Sequence, residues 1–136
     1  MQLFSFITLI LIFILAFYVI SNLMTRFLAK QRGTVLKADQ FVSKAQESNG
    51  QLIDVREKQP FKRHHLKGAR NMPALTFSQG KSGLRKDMPI FLYGDTLQAA
   101  NGVAKQLKKE GADKKQVFLM AGGFRQYVAR QNNQRK

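Results

Sequence analysis

The first 25 residues form an almost uninterrupted apolar stretch that contains no charged side chain. From Leu3 to Met24 the residues are mostly Leu, Ile, Phe, Val and Ala. With a rise of about 1.5 Å per helical residue, this stretch is about 33 Å long, enough to cross a hydrocarbon layer of about 30 Å. The pattern therefore predicts one N-terminal transmembrane helix, an anchor that covers residues 1–25.

A cleavable signal peptide is the alternative interpretation of the same stretch. Such a peptide has a basic start, a shorter apolar core and small residues at its cleavage site. Met1 and Gln2 supply no basic side chain, and the segment from Ser21 to Thr25 is a poor cleavage site. These features favour an uncleaved anchor.

Basic residues follow the apolar stretch directly, and none precedes it: Arg26, Lys30, Arg32 and Lys37. Lys and Arg next to a membrane span are mostly found on its cytoplasmic side. We therefore predict a single-pass protein of the cell membrane, with its N-terminus outside and its C-terminal domain in the cytoplasm. Residues 26–33 are predicted to form a basic juxtamembrane linker.

Beyond residue 33, short apolar runs alternate with segments whose apolar residues have helical spacing. Strands are predicted at 34–36, 52–55, 90–93 and 117–120, and helices at 38–47, at Pro60, at 98–110 and after Gly123. This alternation is typical of a parallel sheet with helices on both faces. We predict one α/β domain over residues 34–130, followed by a polar tail over residues 131–136.

All 23 basic and 8 acidic residues lie beyond position 25, so the formal net charge of +15 belongs to the C-terminal part. A charge of this size favours a polyanionic neighbour, and anionic lipid head groups are the nearest candidate, at about 1 kcal/mol per basic residue close to the membrane. RNA, the ribosome or an acidic protein surface are alternatives. A basic face that simply meets solvent explains the same charge.

The segment from Pro89 to Ala100 is predicted to be a buried strand, a short turn and the start of a helix. Such a turn directs backbone N–H groups into one cradle that suits an anion. A nucleophilic Cys with a nearby Arg is expected at a turn of this kind. Gly94 occupies the first position instead, no Arg lies between Lys86 and Arg125, and the chain has no Cys.

Two sequence motifs resemble the rhodanese-like domain family. The first is Asp54-Val-Arg-Glu57, then Phe61, then the run from His65 to Pro73, which has the family's H-x-x-G-A-x-N-x-P spacing. The second, Gly122-Gly-Phe-Arg-Gln-Tyr127, is similar to the family's closing G-G-x-x-x-W, with Tyr in place of Trp. The resemblance covers about residues 34–130 and implies the rhodanese-like fold.

The family's active loop, C-x-x-G-x-R, differs in this chain. Its Cys, Gly and Arg positions fall on Gly94, Leu97 and Ala99. The persulfide chemistry of the family needs a thiolate, which glycine cannot supply. The resemblance therefore implies a protein that is not an enzyme and needs no cofactor. Its candidate binding site is this degenerate active-site loop, together with Asp54 and Arg56: Gly94, Asp95, Thr96, Leu97, Gln98 and Ala99.

Several polar residues admit more than one interpretation. Asp54 and Arg56 are either a surviving active-site pair or, as we favour, a structural pair that ties the strand end to the loop. Asp95 and Thr96 form either a new site with an acidic base or, as we favour, a helix cap. His64 and His65 lack a nearby carboxylate, so no metal site is predicted.

We predict a catalytically inactive, membrane-tethered protein that acts as a binding or accessory module at the cytoplasmic face. Its expected partners are the membrane, anionic lipid head groups and an unidentified protein, whereas nucleic acid is disfavoured. One alternative is a sulfurtransferase-related enzyme that works with a partner's cysteine. Another is a binder of anionic lipid or nucleic acid that acts through charge alone.

Overall fold

The computed structural model describes all residues 1–136. It consists of a long N-terminal helix followed by an α/β domain in which short strands and helices alternate. The elements are α1 (Gln2–Arg32), β1 (Thr34–Leu36), α2 (Ala38–Glu47), β2 (Gln51–Asp54), α3 (Lys58–Arg63), β3 (Arg70–Asn71), α4 (Ala74–Ser78), β4 (Ile90–Tyr93), α5 (Leu97–Lys109), β5 (Val117–Met120) and α6 (Gly123–Gln134).

The five strands form one parallel sheet in the order β1-β5-β4-β2-β3. The central strands β4 and β5 are buried along their whole length, which explains their continuous apolar sequences. The predicted fold, a parallel sheet with helices on both faces, is confirmed. The sequence predicted four strands, and the fifth is the two-residue strand β3, which pairs with the end of β2.

Alternate strand residues pack into two hydrophobic cores, one on each face of the sheet. On one face, Ile53, Leu92 and Leu119 pack with residues from the end of α1, from α4 and from α5. On the other face, Phe91 and Phe118 pack with residues of α2 and α6. The period-two alternation of the strands thus separates the helices into two layers.

Helix α1 is long and apolar enough to cross a membrane, a property that it shares with N-terminal signal sequences. We predicted that the anchor ends with the apolar stretch at residue 25, but the helix continues to Arg32. Ala29 is completely buried in the core, and Arg32 Nη1 donates a 3.0 Å hydrogen bond to Asn101 Oδ1 on α5. The basic segment 26–33 is therefore the end of α1 packed on the domain rather than a separate linker.

Other boundaries differ by smaller amounts. The predicted polar tail 131–136 is helical as far as Gln134, where α6 ends. Helix α5 ends before Gly111, whose positive φ of 98° is a conformation that glycine adopts readily. Pro60 lies in the first turn of α3, where its missing N–H costs no helical hydrogen bond.

Candidate functional site

The degenerate active-site loop connects the end of β4 to the start of α5 at the carboxyl edge of the sheet. Thr96 is the N-cap of α5, and its Oγ1 accepts a 3.3 Å hydrogen bond from the backbone N–H of Ala99. This contact confirms helix capping for Thr96. Gln98 and Ala99 are exposed to solvent, whereas Leu97 packs partly against the core.

Gly94 is buried, and its neighbours leave little room for a side chain. A Cβ at this position would lie 3.0 Å from Val55 Cγ2 and 3.1 Å from the Cβ of Ala99. Both distances are shorter than ordinary van der Waals contact between carbon atoms. A side chain at residue 94 would therefore require Val55 and Ala99, the residue at the family's Arg position, to shift by a few tenths of an ångström.

Asp54 and Arg56 form a buried ion pair beneath the loop. Asp54 is completely buried, and the Arg56 side chain is 8% exposed. Arg56 donates to both carboxylate oxygens, with Nη2 at 2.7 Å from Oδ2, and its backbone N–H donates to Oδ1 at 2.9 Å. Burial opposes the guanidinium charge, but the hydrogen bond and the attraction to Asp54 dominate and raise the pKa of Arg56.

Arg56 also holds the structure around it in place. Its Cζ lies 4.4 Å from the centre of the Phe124 ring, a cation–π contact with the first turn of α6. Its Nη2 donates to the backbone carbonyl of His64. With its donors directed to Asp54 and His64, the guanidinium ties β2, α3 and α6 together, which agrees with the structural role that we favoured.

Asp95 is the half-exposed acidic group of the loop, between two arginines. Its carboxylate oxygens lie 4.0 Å from Arg56 Nη1 and 4.0 Å from Arg125 Nη2. The loop itself contains no Arg, but the turn at Gly122 and Gly123 brings Arg125, which is remote in sequence, to the same edge. The edge of the sheet at the loop thus carries the positive charge of Arg125, but the Asp95 carboxylate lies beside it and offsets part of that charge.

The second motif supports the loop directly. Gly123 has a positive φ of 75°, and a Cβ there would lie only 2.2 Å from the backbone oxygen of Asp95. The backbone N–H of Phe124 donates a 2.8 Å hydrogen bond to the oxygen of Gly94. Glycine is required here because the chain passes against the loop backbone.

The first motif forms the neighbouring wall. Asn71 donates from Nδ2 to the backbone oxygens of Asp54 and Arg56, at 3.2 and 2.8 Å. The buried Tyr93 hydroxyl accepts a 3.0 Å hydrogen bond from the backbone of Leu66, and burial raises the pKa of Tyr93. These contacts fix the turn between α3 and β3.

His64 and His65 contact different aromatic rings. His65 stacks on Phe61, with ring centres 3.9 Å apart, and His64 lies against Phe124 at 5.2 Å. No group of three or more His, Asp and Glu side chains is close enough together to hold a metal ion.

The predicted membrane-proximal basic residues have different surroundings. Arg32 is bonded to Asn101, Arg26 lines a cavity between α1 and the loop, and Lys30 and Lys37 are exposed. The cavity has a volume of about 450 Å³. Residues of α1 form one wall and residues of the loop and of Gly122 form the other: Tyr18, Ser21, Asn22, Thr25, Arg26, Thr96, Leu97, Gln98 and Gly122.

The family model of the rhodanese-like domain matches residues 37–130, which is most of the chain. The chain belongs to the rhodanese-like family. The match includes both motifs and the loop between them, and it begins after α1.

The uncharacterized protein YqhL of Bacillus subtilis is 36% identical to this chain over 77 residues. That alignment covers 57% of this chain and 60% of YqhL, so the similarity spans less than two thirds of the relative.

Solved structures of the family share the fold. A rhodanese-like domain protein from Staphylococcus aureus has a TM-score of 0.59 at 19% identity, covering 68% of this chain and 88% of that one. The rhodanese-like domain of an Anabaena protein has a TM-score of 0.60 at 24% identity, covering 69% and 72%. In a Bacillus anthracis CoADR-RHD structure, the match covers 69% of this chain but only 16% of that protein.

Compared with the family motif, the loop lacks the reacting Cys and the Arg. Gly94 stands where the motif has its Cys, and the whole chain contains no cysteine. The hydroxyl of Thr96 is engaged in the cap, and the Asp54 carboxylate is buried in its ion pair. None of the side chains gathered here is a thiol that could carry sulfur.

Proposed function

We propose that this protein is a membrane-tethered rhodanese-like module that binds a partner and does not catalyse sulfur transfer. The observation that carries the proposal is Gly94, a buried glycine at the Cys position of the family in a chain without any cysteine. Persulfide transfer requires a sulfur nucleophile, and no rearrangement of the loop supplies one.

The contacts around the loop support a binding role. The side chains of Thr96 and Arg56 make structural hydrogen bonds. Replacing either residue would therefore lower the stability of the domain rather than abolish a reaction. Asp95 lies beside the two arginines that would otherwise attract an anionic substrate. What the loop offers to a partner is the half-exposed Asp95 and the exposed Gln98 and Ala99.

The membrane part of the proposal is supported by α1. Its apolar length suits one span, and the first basic residues, Arg26 and Lys30, follow that span. We propose that the domain lies at the cytoplasmic face of the cell membrane, with basic residues close to anionic lipid. Protease added to right-side-out vesicles should leave the domain intact, and its degradation there would reverse the assigned orientation.

Sulfur transfer from thiosulfate to cyanide tests the inactivity of the full-length protein in detergent. We expect no turnover above a protein-free control, beside an active rhodanese-like enzyme as positive control. Gly94→Cys should restore little, since its Cβ meets Val55 and Ala99 and the loop lacks the family's Arg. Turnover by the unchanged chain that persists through repeated purification would contradict the proposal.

The binding role needs a test of its own. A photo-cross-linking side chain at Gln98 should capture a defined protein in intact cells, whereas the same group at Lys109 should not. Both positions are exposed on α5, Gln98 in its first turn and Lys109 at its end. Identical adducts from the two positions would show that the loop is not the contact surface.

A further inference from the structure

The end of α1 is fixed to the domain. Ala29 is completely buried in the core, and Arg32 is hydrogen-bonded to Asn101 of α5. At Gly33 the backbone is so close to β5 that a Cβ would lie 2.7 Å from the oxygen of Val117. The long helix therefore leaves the domain in one direction, and the direction of a membrane span would set the orientation of the domain.

Helices α1 and α5 run the same way, side by side. Arg32, at the end of α1, meets Asn101, whereas Thr25 and Arg26 line the cavity opposite the first turn of α5. The N-terminus of α5 and the degenerate active-site loop consequently lie on the side from which the apolar part of α1 extends. Helix α5 is about 20 Å long, so its opposite end, at Lys109, lies about that much farther from the apolar part of α1 than its first turn does.

The loop is level with the end of the apolar stretch. Met24 is the last apolar residue before the first charge at Arg26. A bilayer has about 5–7 Å of head groups on each side of its hydrocarbon layer, or about four helical residues. Because Thr25 and Arg26 face the loop across the cavity, a span over residues 1–25 places the loop at the depth of the lipid head groups.

The sequence of α1 carries a polar stripe on this side. Tyr18, Ser21, Asn22 and Thr25 have the i, i+3, i+4, i+7 spacing of one helix face, and all four line the cavity. The intervening residues of this part of α1, at 19, 20, 23 and 24, are apolar, so the polar side chains are confined to the face that meets the cavity.

Exposed apolar side chains mark the same edge of the domain. Beyond residue 25, the large hydrophobic residues that are exposed are Phe27, at 58%, and Leu75, at 62%. Leu75 is at the carboxyl edge of the sheet, because its neighbour Ala74 donates a 3.0 Å hydrogen bond to the oxygen of Val55, directly after β2. Leu75 is thus located where the domain would meet the bilayer, and Phe27 follows the last residue of the apolar stretch, Met24, by three positions on α1.

We propose that the domain docks on the membrane with the carboxyl edge of its sheet, so that the degenerate active-site loop and Leu75 contact phospholipid head groups. The fixed end of α1, the shared direction of α1 and α5 and the position of the two exposed apolar residues all support this orientation. The inference rests on the proposed membrane tether and adds that the loop lies in the head-group layer, so that a protein captured from Gln98 would itself be a membrane protein.

Single-cysteine labelling tests the orientation without background, since the chain has no cysteine. A fluorophore is attached to Gln98→Cys, Leu75→Cys or Lys109→Cys in the full-length protein in liposomes whose head groups carry a nitroxide quencher. Gln98 and Lys109 are on the same helix, about 17 Å apart along its axis. We expect quenching at Gln98 and Leu75 to be several-fold stronger than at Lys109.

Flotation of the same samples separates the two levels of the proposal. Chains that float with the liposomes but show equal quenching at the three positions, or stronger quenching at Lys109, would contradict the docking while keeping the tether. Chains that fail to float would contradict both. The Leu75 probe keeps the test decisive if a label at Gln98 disturbs the first turn of α5.

Discussion

The ion pair beneath the loop provides a quantitative prediction about stability. Asp54→Ala removes a completely buried carboxylate that accepts hydrogen bonds from the backbone and the guanidinium of Arg56. The Arg56 side chain is 8% exposed, so its charge would remain largely buried without a partner. If the pair is structural, the substitution must lower the free energy of unfolding substantially.

The expected magnitude is a large part of the stability of a domain. Removing one partner of a buried ion pair costs about 3–5 kcal/mol, compared with a total of about 5–15 kcal/mol for a typical domain. With a urea dependence of about 2 kcal/mol per molar, the unfolding midpoint should fall by about 1.5–2.5 M.

Urea unfolding of the full-length protein in detergent, followed by near-ultraviolet circular dichroism of its tyrosines, measures this shift. Asp87→Ala is the matched control, because Asp87 pairs with Arg85 at 2.6 Å across the same two-residue separation. Both of those side chains are 65% exposed, so the control should leave the midpoint unchanged. A midpoint for Asp54→Ala equal to that of the control would refute the structural role.

Two further predictions concern stability. Gly123→Ala should lower the free energy of unfolding by more than about 1 kcal/mol, because a Cβ would meet the Asp95 backbone. Gly102→Ala, in open space on α5, should raise it by about 0.5–1 kcal/mol. Equal urea midpoints for the two variants would contradict this. Burial opposes ionisation of Glu110, but hydrogen bonds from Ser82 lower its pKa, so stability should fall below pH 4.5, its ordinary value. Glu110→Gln should flatten that dependence in thermal unfolding; an unchanged slope would contradict it.

The sequence predicted the parts of the fold that have a strong local pattern. The apolar runs at 90–93 and 117–120 are central strands, and Thr96 is the helix cap. Strand β3 was missed because two residues, Arg70 and Asn71, carry no periodicity and pair only through tertiary context.

Other features depend on contacts between distant parts of the chain. The continuation of α1 was missed because its basic residues suggested a linker, whereas the burial of Ala29 against α5 is invisible in the sequence. Arg125 was not associated with the loop because it is remote in sequence, and the turn at Gly122 brings it near Asp95. The close approach of Val55 and Ala99 to Gly94 likewise requires the folded geometry.

The ability to hold sulfur is the property that distinguishes a binding module from an enzyme here. The full-length protein can be incubated with a persulfide donor, passed through a desalting column and weighed by intact-protein mass spectrometry, beside an active rhodanese-like enzyme. A chain without thiols and with Gly94 at the reacting position should keep its original mass, while the enzyme gains one sulfur atom. A stable gain of sulfur by this protein would contradict the account.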